Sequence, residues 1–98
     1  MPMQSGSFIF DSNKYGELLD NDPPRNRTCQ DYISFARPFA TAPKVIVSLN
    51  QIDCDPGYNL RIMAGTDTIN VNGFELLATT WADTKIFSAG ISWIAYTD

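Results

Sequence analysis

The sequence predicts an all-β domain, a six-stranded antiparallel β-sandwich. Three observations carry this expectation. No helical hydrophobic period persists anywhere in the 98 residues, β-branched and aromatic segments alternate with polar positions, and turn dipeptides recur at short intervals. A chain of this length forms a single domain, 1–98, and buries only somewhat over ~60% of its unfolded surface, so apolar surface shared with other copies is expected.

The elements follow in order. "SFIF", Ser7 to Phe10, is a short β-prone piece, and it runs into a polar stretch from Asp11 to Thr28 that reads as a long loop. Loops of that length in compact domains tend to be functional or disordered. "DYISFARPF", 31 to 39, alternates as a strand, with Pro38 limiting it to an end or an edge. "APKVIVSLNQID", 42 to 53, is strongly β-branched and leads into a turn at Pro56-Gly57. "NLRIMAG" sets Leu60, Ile62 and Ala64 on one face against Asn59, Arg61 and Met63 on the other. After "NVNG" come "FELLATTW" and "KIFSAGISWIAY", two further strands separated by "ADT". Along "KVIVSL" and "GISWIAY" both faces are largely apolar, whereas a lone sandwich wets one face of each strand. Subunits packing sheet against sheet would account for that.

Composition narrows the function. The chain is 44% hydrophobic and 12% aromatic, the profile of a packed domain rather than a disordered one. Net charge is -4 and the seven cations are scattered, so no basic stripe offers itself to nucleic acid. Histidine is absent, which removes the usual general base, the Ser-His triads and His-based metal motifs. Cys29 and Cys54 are too few for a disulfide framework or a zinc site and are expected as reduced thiols. "DCDPGYN", 53 to 59, lacks the spaced oxygens and final bidentate acid of a calcium loop, and no carboxylate pair has a spacing that argues for glycoside hydrolysis. The expectation is a protein that is not an enzyme, with no cofactor and no metal. "MPMQSGSFIF" is not a signal peptide, and no apolar stretch approaches 18 residues, so no membrane insertion is expected. Either cytoplasmic residence with non-classical release or an extracellular setting would suit such a soluble chain.

The candidate binding residues come from the tryptophans. Trp93 lies in an apolar run and reads as core, whereas Trp81 is followed by turn residues. If the hairpin closes about Val71, Arg61 and Trp81 fall opposite each other, each ten residues from that centre; a two-residue turn on Asn72-Gly73 would slip this register by three. A ring plane beside a guanidinium fork suits sugars, whose C–H faces are apolar and whose rims are polar. The alternative is a core tryptophan covered by an arginine stem. The loop "NDPPRNRT" adds Asp22, Arg25, Asn26 and Arg27, either for sugar hydroxyls or as a solvated polar loop. Asn26-Arg27-Thr28 also fits the N-glycosylation pattern, expected to be unused without an export signal.

"ISFARPFATAPKVIVSLNQID", "YNLRIMAG" and "NGFELLATTWADTKIFSAGISWIAY" together resemble the H-type lectins, the family of snail agglutinins and of the C-terminal domain of discoidins. The match runs from Ile33 to Tyr96 in the family's order. The resemblance implies a trimer-forming β-sandwich that binds N-acetylgalactosamine or galactose without metal, at a site on the junction of two subunits. It puts the sugar arginine on Arg61 in "NLR" and the stacking tryptophan on Trp81 in "TTW". Ala82 stands where some snail members have histidine, and Phe87 where they have tyrosine. Asn26 is the nearest match to their acidic loop residue, with Asp22 and Pro24 shortly before it, so the polar loop within 1–30 is expected to contribute to the site. The expected partners are glycans bearing terminal galactose or N-acetylgalactosamine and two further copies in a homotrimer. The rival reading is a structural trimerisation module in which Trp81 is interface core.

Overall fold

A computed structural model describes residues 2–98. Six strands form: β1 (Met3–Asp11), β2 (Arg27–Ser34), β3 (Lys44–Cys54), β4 (Ile62–Asp67), β5 (Gly73–Thr80) and β6 (Ile86–Tyr96), with one 3₁₀ turn at Gly16–Leu18. They make two antiparallel three-stranded sheets, ordered β1-β6-β3 and β2-β5-β4. The predicted six-stranded sandwich is therefore the observed one.

The central strand of each sheet is the one with the most apolar inner face. On β5, Phe74, Leu76 and Ala78 are fully buried, and on β6, Ala89, Ile91 and Ala95 meet them. Trp93 sits among these residues as the sequence predicts, edge-on to Phe74 with ring centroids 5.4 Å apart and near Phe35 at 5.9 Å. Its indole lies across β1 at Gly6, where a Cβ would come within 2.8 Å of the ring. Only a residue without a side chain leaves room there.

Several element bounds differ from expectation for identifiable reasons. β1 starts at Met3 rather than Ser7, because the small and polar residues before Ser7 still pair with the end of β6, from Met3↔Tyr96 to Gly6↔Trp93. β2 begins earlier, at Arg27, and stops at Ser34; Phe35 and Phe39 then leave the ladder to fold over the core, edge-to-face at 4.9 Å. The Asp11–Thr28 stretch is not a solvated loop throughout, since Tyr15 and Leu18 are buried against the core. Leu60, expected to face inward, is 49% exposed because β4 begins only at Ile62.

The second apolar face of these strands is open in the chain itself. The outer face of β1-β6-β3 exposes Met3, Ile9, Ile46 and Ile94, and the ladder aligns Ser5, Ile94 and Ile46 in one row. Cys29 is buried and Cys54 partly buried, both as free thiols. Among the described residues, no helix is long and apolar enough to cross a membrane.

Candidate functional site

The candidate residues gather at one end of the sandwich. There β4 begins, β5 ends and β2 begins, so the loops 12–26, 55–61 and 81–85 are neighbours. The β4–β5 ladder runs from Asp67↔Glu75 to Ile62↔Thr80, the register of a hairpin centred on Val71. Carried one step further, it sets Arg61 opposite Trp81. Thr80 is buried and its hydroxyl donates to the Arg61 carbonyl, which closes the pairing where the ladder stops.

Beyond Thr80 the chain turns sharply. The Thr84 N–H donates to the Trp81 carbonyl at 3.4 Å, and Ala82 adopts a φ of 56°. An alanine in the left-handed region costs roughly 1–2 kcal/mol, so surrounding contacts must hold it. They are visible. The Arg61 Nη1 donates to Asp83 Oδ1 at 2.9 Å, the Asn21 side chain donates to the Asp83 carbonyl at 2.7 Å, and the Thr84 hydroxyl donates to the Asn59 carbonyl at 2.6 Å. Arg61 is thus braced at its backbone by Thr80 and at its fork by Asp83.

What remains open defines the chemistry. Trp81 is half-buried, and the Arg61 and Asp83 side chains are 32% and 42% exposed. A single Arg61 nitrogen is engaged, so the other guanidinium N–H groups have no protein acceptor among the described residues. An indole, a pre-oriented donor fork and a carboxylate acceptor together can hold an apolar ring face with hydroxyls on its rim.

The polar loop reaches the same end. Asn26 immediately precedes Arg27, whose backbone pairs with Thr80, so Asn26, Arg61 and Trp81 each stand one residue past the last pair on three adjacent strands. Asn26, Asp22 and Pro24 are all exposed, and the Asp22–Pro23 peptide is cis. Arg25 pairs with Asp20 at 2.7 Å, and this hydrogen bond holds the Asp20 carboxyl below the usual range. Phe87 is 41% exposed at the same end, near the start of β6 in the β1-β6-β3 sheet, whereas Trp81 follows β5 of the other sheet. Ala82 is half-exposed in the turn itself.

Three residues of this end escape a reading of the sequence as a solvated loop and a turn. Asp83 pairs with Arg61, Asn21 ties the loop to the turn after β5, and Arg27 is 5% exposed. Only Arg27 has a sequence signal, strand parity, because it and its partner Thr80 both lie on the inner face. At the opposite end, a hollow of about 490 Å³ is lined by Gln4, Arg37 and Phe39. The Gln4 amide there already bonds the Arg37 carbonyl and the Ala36 N–H, so it closes a crease and presents little polar chemistry.

Known proteins resemble this chain in both sequence and shape. It is 31% identical over 80 residues to "ATP synthase subunits region ORF 7" of Fuscovulum blasticum, covering 82% of this chain and 68% of that protein. It is 36% identical over 64 residues to a discoidin-1 polypeptide of Dictyostelium discoideum, covering 64% of this chain and 25% of that one. The fold matches the recombinant discoidin II of the same organism with a TM-score of 0.80 at 20% identity, over 96% of this chain and 36% of discoidin II. A Pseudomonas phage phi297 tailspike, gp61, shares the fold at a TM-score of 0.58 and 15% identity, over 98% of this chain and 15% of the tailspike. The chain therefore spans a quarter to about a third of the discoidins it matches. The profile of the H-type lectin domain covers residues 30–96, which include Arg61, Trp81, Ala82 and Phe87, and the chain belongs to the H-type lectin domain family.

Proposed function

We propose that this chain is a carbohydrate-binding domain without enzymatic activity, which stacks a galactose-type sugar on Trp81 and fixes its hydroxyls with Arg61. The observation that carries this reading is the placement of Arg61 and Trp81, each one residue past the last β4–β5 pair, with the indole half-open and Arg61 held by Asp83 and Thr80. Asn26, exposed and without a side-chain partner among the described residues, supplies a further donor and acceptor. The loop's side-chain contacts to the β5–β6 turn of its own chain are made by Asn21 and Arg27, which leaves Asn26 available to a sugar at the junction with an adjacent chain. With Ala82 in the turn, no side-chain donor follows the tryptophan, so galactose and N-acetylgalactosamine are both candidate ligands.

Three copies would bring several shallow sites together, and linked sites can raise effective affinity by ~10² to 10⁴-fold. Ile9, Ile46 and Ile94 on the outer face of β1-β6-β3 favour such packing, because exposed apolar side chains clustered on one sheet face invite burial. A closed three-fold assembly repeats one heterologous contact around its axis. The same face also favours the second reading, a structural trimerisation module without glycan binding.

A glycan array with multivalent reporters tests the proposal. Binding to terminal galactose or N-acetylgalactosamine is expected, and lost in Trp81→Ala and Arg61→Ala. A trimer by sedimentation that binds no glycan would leave the structural reading standing.

A further inference from the structure

Arg27 is the one charged residue among the described residues that the fold takes out of water. No carboxylate meets it. Its Nε donates to the Arg25 carbonyl at 3.3 Å, Nη1 to the carbonyls of Glu17 at 3.0 Å and Leu18 at 3.4 Å, and Nη2 to those of Ala82 at 3.3 Å and Thr84 at 2.9 Å. A guanidinium has five N–H groups, and here five backbone carbonyls receive them. A buried cation so fully satisfied by main chain is tied to the conformation of every segment that supplies an acceptor.

Beyond Arg25, two residues back in the chain, those segments are two. Glu17 and Leu18 belong to the 3₁₀ turn of the polar loop, while Ala82 and Thr84 belong to the turn that carries Trp81 and Asp83. The Ala82 carbonyl that Arg27 holds belongs to the residue in the left-handed conformation, where alanine does not rest by preference. The one other side-chain link between the loop and the β5–β6 turn among the described residues is Asn21 to the Asp83 carbonyl.

We infer that Arg27 is a positioning residue of the Trp81 site: its guanidinium clamps the β5–β6 turn to the polar loop and so fixes where the indole and Asp83 point. The functional consequence rests on the carbohydrate reading above, but the clamp itself rests on geometry alone. An arginine that merely stabilised the fold would leave the Trp81 environment unchanged once the protein had folded.

The test is Arg27→Lys, which keeps the charge but offers three donors and no planar fork. Far-UV circular dichroism and sedimentation report whether the variant is folded and assembled as the wild type is. In the folded variant, the indole N–H resonance of Trp81, assigned with Trp81→Phe, is expected to broaden or double while that of Trp93 stays in place. Affinity for a galactose-bearing matrix should fall by ~10-fold, the equivalent of about 1.4 kcal/mol. An unchanged Trp81 resonance in the folded variant overturns the inference, as does unchanged affinity beside a wild type that binds. If the lysine variant does not fold, amide hydrogen exchange of the wild type gives the same answer. The Leu18, Leu19 and Thr84 amides should open as one unit with a common free energy, and independent opening of the two turns overturns the clamp. A wild type that binds no glycan would refute the carbohydrate reading while leaving the resonance and exchange tests of Arg27 intact.

Discussion

Truncating the two tryptophans separately should have opposite consequences. Trp93 is 8% exposed and touches the Phe35 and Phe74 rings, with Gly6 pressed against its indole. Trp93→Ala removes that packing and leaves a void that close neighbours fill only in part, a loss of ~3–5 kcal/mol. A domain of this size holds on the order of 5–15 kcal/mol in total, and each kcal/mol moves the melting temperature by about 4–8 °C. The melting temperature should therefore drop by roughly 15 °C or more, or the variant should not fold. Trp81 is half-buried at the sandwich tip, so its truncation forfeits about half of the ~1.5–3 kcal/mol that a fully buried large side chain contributes. Trp81→Ala should thus cost about 1 kcal/mol and abolish glycan binding. Each variant retains one tryptophan, so thermal unfolding followed by fluorescence reports from the remaining site. If Trp81→Ala loses as much stability as Trp93→Ala, Trp81 is core and the platform reasoning fails.

Ala82→Gly should raise the melting temperature by a few degrees, because relief of ~1–2 kcal/mol of left-handed strain exceeds the ~0.4–1 kcal/mol of added chain entropy; a lower melting temperature would mean that the turn does not need φ of 56°. Retention on a galactose matrix should survive both EDTA and a thiol reductant, and elution by EDTA alone would point instead to Asp53 and Asp55 as calcium ligands. Burial pushes both the Cys29 thiol and the Tyr15 phenol up to about 12, with Asp31 adding to the effect on Tyr15. Protons are then held more tightly in the folded chain, so this stability is complete below the ordinary values of 9.0 and 10.0 and is lost as pH rises toward about 12. Urea unfolding across that window should show a falling midpoint, with a shallower fall in Cys29→Ala. Co-refolding Asn26→Ala with Trp81→Ala, each inactive alone, should recover some binding if loop and hairpin of one site come from different chains; no recovery in mixtures shown to exchange protomers would place the site within one chain.

The β4–β5 hairpin is legible in the sequence because its information is local: alternation along "NLRIMAG" and "FELLATTW" sets the faces, and symmetry about Val71 sets the register that brings Arg61 to Trp81. Trp93 is equally plain from its apolar neighbours. The polar loop is not legible, because a buried arginine satisfied by main-chain carbonyls looks the same in sequence as a solvated one. Arg27 lies in "NDPPRNRT" beside Arg25, which is exposed and pairs with Asp20, and nothing in composition separates the two. The length of β1 is hidden for a related reason. Gly6 and its serine neighbours carry no hydrophobic signal, yet Gly6 is demanded by the Trp93 ring that crosses it. Asp83 is equally hidden, because a turn residue acquires its role only when Arg61, twenty-two positions away, is folded beside it.

The pairing of Met3 with Tyr96 sets the direction in which this domain presents itself. Both ends of the described chain emerge together at the pole of the sandwich opposite Trp81, on a body about 45 Å long and 20 Å across. Whatever is joined at either end, whether a further domain, an affinity tag or a surface, lies behind the Trp81 tip rather than beside it. Such a head can be carried on larger proteins of different build without its Trp81 end being covered by the attachment. For the same reason, immobilisation through either terminus should leave glycan binding intact, whereas coupling through Lys85, next to the Trp81 turn, should suppress it.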